Sequence, residues 1–215
     1  MLSPPLRRTL NFGLGAPAQE QLIFRGPVQT MLSRDSQLPD GGRSNLDGFR
    51  RAVDAYRQAI QLDPSYAAGY AGLAISEAFV ADQTGDAAGL QQAVAAAGKA
   101  VVLALDEADG YMARGFLRFN FSWDWTGAQA DFEKALAFDR DDSTVQRRYG
   151  ELLATFDRLP EAIAVTKKAI ELDPLSSPAW STLDLYLIRN RQFAAAHEAV
   201  RRALEIQPEA LYALK

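Results

Sequence analysis

Cysteine is absent from this chain, histidine occurs once, and no long run of apolar residues interrupts it. Without cysteine there is no disulfide framework, no thiolate nucleophile and no cysteine-ligated zinc. The single histidine, His197, has no second imidazole or spaced nucleophile to converge with, and metal or triad chemistry needs several such groups together. It is read as a surface or packing residue. No apolar stretch approaches the roughly 18 residues of a membrane span, and the basic start Met1 to Arg8 is not followed by the apolar segment of a signal peptide. No membrane insertion of this chain is therefore expected. Basic charge is not in excess either: the net charge is −4 and the isoelectric point near 5.1. A surface that tracks phosphates needs the opposite balance, so nucleic acid is not an expected partner.

What is present is repetition. Gln58-Ala59-Ile60-Gln61-Leu62-Asp63-Pro64 returns as Lys134-Ala135-Leu136-Ala137-Phe138-Asp139-Arg140, as Lys168-Ala169-Ile170-Glu171-Leu172-Asp173-Pro174 and as Arg202-Ala203-Leu204-Glu205-Ile206-Gln207-Pro208, with a fainter copy at Lys99 to Leu103. Marked by the alanine, the steps from 59 to 100, 135, 169 and 203 are 41, 35, 34 and 34 residues. A fixed period of this size signals stacked supersecondary units. Around it lie Tyr70 and Leu73, Gly115, Gly150, and Trp180 and Leu183, with Ala52 and Tyr56 or Ala128 and Phe132 four apart; the step degrades to Ala162 with Thr166 and Ala196 with Val200. This pattern resembles the tetratricopeptide-repeat (TPR) family, whose unit runs Trp-x2-Leu-Gly-x2-Tyr, then Ala-x3-Phe, then Pro. Ala74 and Asp184 stand where that pattern has glycine, and Arg140 where it has proline.

The resemblance implies an all-α fold, a right-handed α-α superhelix of about five helix pairs. Small residues at 52, 59, 128, 135, 162, 169, 196 and 203 would let helices approach, with large ones filling the gaps between pairs. Helices are expected over about 17–33 and 45–62, 66–82 and 87–104, 108–121 and 125–138, 143–156 and 159–172, and 177–189 and 192–206. The corresponding organisation is an irregular arm at 1–16 and a solenoid over 17–215, with units 17–64, 65–105, 106–141, 142–175 and 176–208. Asp35 to Gly48, rich in glycine, serine and aspartate, is expected as a loop, and an insertion of roughly seven residues near Asp82 to Asp86 accounts for the longer second step. Residues 209–215 begin like a further first helix and form a partial cap. Since solenoids cover their last apolar face with a polar helix, the chain is expected either to be a fragment or to self-associate through its C-terminal end.

A narrower likeness is carried by Phe121-Ser122-Trp123-Asp124-Trp125-Thr126-Gly127-Ala128, by Leu172 to Ser176 and by Tyr66 to Ala74. These resemble the repeat domains of bacterial membrane-bound winged-helix regulators and class III adenylate cyclases. That implies a sensory, regulatory or oligomerisation module of a larger bacterial signalling protein as the alternative to a freestanding scaffold. The expected location is the cytoplasm, or the periplasm if the chain is a domain of a larger membrane protein.

Catalytic and cofactor signals are thin. Gly13-Leu14-Gly15-Ala16-Pro17-Ala18 matches a dinucleotide fingerprint in form, but that fingerprint has meaning only between a strand and a helix of a βαβ unit; it is read as a loop leading to a helix at Pro17. Asp40 to Ser44 lacks the Gly-Lys-Ser/Thr of a phosphate loop. Asp139-Arg140-Asp141-Asp142 lacks the alternating acids, central glycine and distal glutamate of a calcium loop, and reads as a turn capped at Asp142 or Ser143. No catalytic residue, metal or cofactor is expected. Trp123 and Trp125 either pack over the junction of the third helix pair or form a peptide hot spot.

The family resemblance also implies an inner surface lined by the first helix of each unit. Mapped by the glycine position, the partner-binding residues are Met112, Phe116, Phe119 and Asn120 in unit three, Arg147, Arg148 and Glu151 in unit four, and Ser181, Leu185 and Arg189 in unit five. Thr155 and Thr182 fall at inward positions too. Phe116 and Phe119 could equally fill the core between pairs. The surface so defined is half apolar and half basic, which suits a protein or peptide partner with acidic groups and hydrophobic anchors, arginine offering carboxylates a planar fork. Ala68, Ala71, Gly72 and Ile75 at the inward positions of unit two do not support the lysine and asparagine clamp of chaperone-type members.

Overall fold

The computed structural model describes residues 43–208 of the chain. Among these residues it contains nine α-helices and no strand: α1 (Arg43–Leu62), α2 (Ala67–Thr84), α3 (Ala87–Leu103), α4 (Ala108–Leu117), α5 (Trp125–Phe138), α6 (Ser143–Thr155), α7 (Leu159–Leu172), α8 (Ser177–Arg189) and α9 (Phe193–Ile206). A π-helical turn, Arg118–Ser122, extends α4 towards α5. Helices α2 and α3, α4 and α5, α6 and α7, and α8 and α9 form successive hairpins, and α1 packs on α2 before them. The expected arm at 1–16, the helix at 17–33, the glycine-rich segment at 13–18 and the cap at 209–215, with the self-association inferred from it, lie outside the described residues.

Three sequence expectations change. The loop over Asp35 to Gly48 gives way to helix at Arg43, where α1 starts. The insertion near Asp82 to Asp86 is not a bulging loop: α2 runs 18 residues and α3 17, against 13 and 14 for α6 and α7. The extra length is helix, and the hairpin closes on Gly85 in the left-handed conformation, φ 70°. The long helix 108–121 ends at Leu117 as regular α-helix and finishes as the π turn.

Helix starts follow local chemistry. Side-chain oxygens of Asp86, Asp124 and Asp142 accept from backbone N–H groups at the starts of α3, α5 and α6, at 2.8–3.0 Å, which satisfies donors that a helix leaves unpaired. Pro160 and Pro178 sit in the first turns of α7 and α8, where a missing N–H costs nothing. The aspartate of the recurring phrase closes the turn between units: Asp63, Asp139 and Asp173 accept from the N–H two residues on, at 2.9, 3.1 and 3.2 Å. That Asx-turn explains why Arg140 can replace proline after Asp139.

Packing rests on alanine. Ala128, Ala135 and Ala162 are 0 % exposed, and Ala52, Ala169, Ala196 and Ala203 are also buried, while Ala59 is only half-buried. Without side-chain bulk beyond Cβ, paired helices come close, and Phe132, Leu117, Leu152, Leu153 and Leu187 fill the intervening layers. The three buried clusters each cross unit boundaries: one joins α1 to α4, the next α3 to α6, the third α6 to α9. The core is therefore continuous along the solenoid and no unit is buried by itself.

The closest approach of a glycine to a neighbouring helix backbone is at Gly110, where a Cβ would stand 2.8 Å from the backbone N of Val101 and 2.9 Å from the carbonyl carbon of Ala100. Gly110→Ala gains some helix propensity but must push α4 off α3. A loss of about 1–3 kcal/mol is expected from such overpacking, read as a lowered urea midpoint. The hairpin turns offer the reverse case. Trp123, Asp157 and Arg191 adopt φ of 56°, 58° and 58°, a region in which side chains with a Cβ are strained. Arg191 is exposed, so Arg191→Gly should stabilise by about 0.5–1 kcal/mol, measured as a higher urea midpoint.

Candidate functional site

Helices α2, α4, α6 and α8 are the first helices of their hairpins, and the residues proposed from sequence are carried by α4, α6 and α8. On α4, Phe116 is 3 % exposed, with Phe79 of α2 at 5.5 Å and Phe121 at 6.0 Å between ring centroids. Phe79 in turn stacks on Phe49 of α1 at 4.6 Å. Met112 is half-buried and touches the first and the middle core clusters. Phe119 packs into the middle cluster with Tyr111, Phe132 and Leu152, away from Phe116. Asn120 is exposed, and its side-chain amide donates to the Phe116 carbonyl at 3.0 Å, so it is engaged by its own helix end.

Phe116 and the unit-four residues form one contact. The Arg148 guanidinium lies over the Phe116 ring, 4.7 Å from its centroid, and donates to Glu151 Oε2 at 2.9 Å. Arg147 donates to Glu151 Oε1. The i, i+3 and i, i+4 spacing of these residues on α6 brings them to one face. Their side chains are 13 %, 15 % and 21 % exposed for Arg147, Arg148 and Glu151, so the cluster is mostly withdrawn from water.

Two guanidinium groups here share one carboxylate, and the electrostatics record the imbalance. Burial lowers the Arg147 pKa to about 10, and repulsion from Arg148 adds to the effect against the attraction of Glu151. Burial alone would raise Glu151, but the charges of Arg148 and Arg147 and hydrogen bonds from both outweigh it and hold the carboxyl below its ordinary value. Tyr186 of α8, 3 % exposed, is raised by burial and by the nearby Glu151 charge. All three shifts fit a desolvated cluster with one positive charge left over.

A second arginine pair, not anticipated from sequence, provides the contrast. Asp131 of α5 accepts from Arg114 Nε and Nη2 at 2.9 and 2.6 Å and from Arg118 Nη1 at 2.7 Å. Arg118 also reaches Asp124 at 3.4 Å and the Gly127 carbonyl at 3.3 Å. Two acids thus balance two bases inside one hairpin, and the group reads as a brace between α4 and α5. The only sequence signal for it was the four-residue spacing of Arg114 and Arg118.

On α8, Leu185 is 53 % and Ile188 46 % exposed, an apolar pair on a surface where water must be ordered around it. Ser181 is half-buried. Arg189 donates to the Ala154 carbonyl at 3.0 Å and to exposed Asp157 at 3.3 Å, tying α8 to the end of α6. The structure therefore joins Phe116, Arg147, Arg148 and Glu151, links Arg189 to α6, and leaves Phe119 and Asn120 engaged elsewhere.

Other features lie apart. Trp123 is 73 % exposed and meets Trp125 edge to face at 6.3 Å, and Trp125 meets Phe156 of unit four at 6.1 Å. Trp125 thus packs across the junction, whereas Trp123 only leans on it. A cleft of about 320 Å³ opens between α1, α2 and α3, crossed by an ion pair from Arg57 to buried Glu77 at 2.8 Å. His197 is exposed on α9, and Asp139 and Asp142 are occupied in turn and cap hydrogen bonds. Among the described residues no group of three or more potential metal ligands is gathered, and no helix is long and apolar enough to cross a membrane.

Because the folded-state pKa of Glu151 is depressed, the stability it contributes is present above the ordinary glutamate range, and it is lost as pH falls through the lower folded value. Wild type should melt several degrees above Glu151→Gln at pH 7, and the two should converge by about pH 3 in thermal unfolding followed by circular dichroism.

No protein-family model and no curated protein sequence matches the chain. Solved structures do. A crystal structure of MamA superposes with a TM-score of 0.56 at 20 % identity over 80 % of this chain and 96 % of that one. YrrB, described as a TPR protein with an unusual peptide-binding site, gives 0.53 at 19 % identity over 93 % and 97 %. TTC0263, a thermophilic TPR protein of Thermus thermophilus, gives 0.56 at 19 % identity over 77 % and 99 %. At such identities what is shared is architecture, and with the helical period and the hairpin packing it establishes that this chain has the all-α solenoid superhelix of the tetratricopeptide-repeat fold.

Proposed function

We propose that the chain is a non-catalytic binding scaffold that holds a protein or peptide partner against the inner helices α4, α6 and α8. One observation carries the reading: a partly buried, net-positive cluster of Arg147, Arg148 and Glu151 lies on α6, the first helix of the hairpin before the one that carries exposed Leu185 and Ile188 on α8. An unbalanced charge and an uncovered apolar pair are each more stable when covered by a complementary surface. The partner that fits is acidic with apolar anchors, and a TPR solenoid that binds peptide has a precedent in YrrB. The narrower likeness to signalling repeat domains rests on Phe121 to Ala128, Leu172 to Ser176 and Tyr66 to Ala74, none of which includes Arg147, Arg148, Glu151, Leu185 or Ile188.

The test uses exposed residues, because reversing Arg147 and Arg148 would put three carboxylates together in a half-buried space. Peptides selected from a displayed library of natural protein fragments should bind wild type and lose about tenfold or more in affinity for Leu185→Asp/Ile188→Asp, as loss of an apolar anchor worth about 1–3 kcal/mol implies. Circular dichroism should show both proteins folded. Selected peptides that bind the double variant as well as wild type would place the partner surface elsewhere.

A further inference from the structure

The arginines of unit four are not free to meet a partner, because Glu151 already occupies them. It gives one carboxylate oxygen to each guanidinium, the arrangement an incoming acid would adopt. We infer that Glu151 is a built-in occupant of a carboxylate seat, and that an aspartate or glutamate side chain of an extended partner segment displaces it from Arg148. The inference rests on the reading of the inner helices as the partner surface.

Three features support displacement over a fixed internal ion pair. Arg148 has a second hold: its guanidinium lies over the face of Phe116 at 4.7 Å, which is itself fixed between Phe79 and Phe121. Cation–π attraction keeps the arginine in place when the glutamate leaves. Glu151 lacks an equivalent. Among the described residues its carboxylate receives hydrogen bonds from the two arginines alone, and it is the most exposed of the three side chains, at 21 %. Finally, the cluster has one positive charge too many, so a second carboxylate is attracted before the first is released. The balanced Asp131 group shows the alternative: there, Asp124 supplies the second acid from within the chain.

The neighbouring apolar pair sets the pattern of the segment. Adjacent inner helices lie about 10 Å apart, and an extended strand covers that in about three residues. An acidic side chain at Arg148 therefore places a bulky apolar side chain roughly three positions away over Leu185 and Ile188. Glu151 makes the seat selective: a segment without a carboxylate gains nothing there.

The experiment uses fluorescein-labelled dodecamers of repeated Glu-Glu-Leu and Gln-Gln-Leu triplets, with fluorescence anisotropy on the full chain. Wild type should prefer the glutamate probe. Glu151→Gln, with its fold checked by circular dichroism, should bind that probe about tenfold more tightly, the gain expected when a competing like charge is removed, and the glutamine probe unchanged. Glu151→Asp, which keeps the carboxylate, should stay near wild type, and Arg148→Gln should abolish the preference. A folded Glu151→Gln that binds the glutamate probe no better than wild type overturns the inference and makes Glu151 a strut for the arginines, while the partner surface stands. Failure of both probes with every variant overturns the partner surface and the inference together.

Discussion

The close approach of helices through alanine and glycine is the constraint on which everything else in the molecule depends. At Gly110 not even a methyl group fits between α4 and the backbone of α3, and the buried alanines repeat this contact in weaker form along the solenoid. Dense packing at such short range leaves little room for adjustment, so the orientation of each hairpin is inherited by the next. The packing joins units four and five as it joins the earlier ones: Arg189 of α8 donates to the Ala154 carbonyl at the end of α6.

Charge is used in two ways within that frame. Asp131 is 4 % exposed and takes three hydrogen bonds from two arginines, and Asp124 completes the balance. A buried ion group of this kind costs desolvation, and its partners must be matched to offset it. The matched set sits between the two helices of one hairpin. The unmatched set, Arg147, Arg148 and Glu151, sits along one face of α6. Similar ingredients are neutralised where they brace one hairpin and left with a surplus charge on α6, where the partner is proposed to bind.

The frame was legible in the sequence because alanine spacing and the Leu-Asp-Pro phrase are set by packing, which every unit must satisfy. Helices α5, α7 and α8 match their expected spans, and most other ends shift by one or two residues. The misses have physical causes. Asp35 to Gly48 has loop composition, yet Arg43 to Gly48 is helical: Phe49, 1 % exposed, stacks on Phe79 and anchors that end of α1. The extra residues of unit two were expected at the turn-like Asp82-Gln83-Thr84-Gly85-Asp86, but only Gly85 and Asp86 lie outside helix there and the added length is taken up by α2 and α3, in which hydrogen bonding continues. The π turn at Arg118–Ser122 has no composition signature, so the inward register was followed through Phe119 and Asn120 as though the helix were regular. Within the turn that register no longer holds, and Phe119 packs half-buried against the middle core cluster.

The candidate site was less legible for a related reason. Inward positions are not fixed by packing, so the repeat names them but does not say what they do. Arg147 and Arg148 read from sequence as two available positive charges; their pairing with Glu151 depends on side-chain direction around α6, which spacing permits but does not require. The basic half of the surface is consequently smaller than its residue types suggest, one charge where two were expected, and it is set deeper. On the proposed partner surface a single half-buried charge discriminates better than two solvated ones, because solvated charges interact weakly with any acid. The desolvation of the cluster follows from the same close packing that fixes the frame, since that packing brings buried Tyr186 of α8 up to the Glu151 charge.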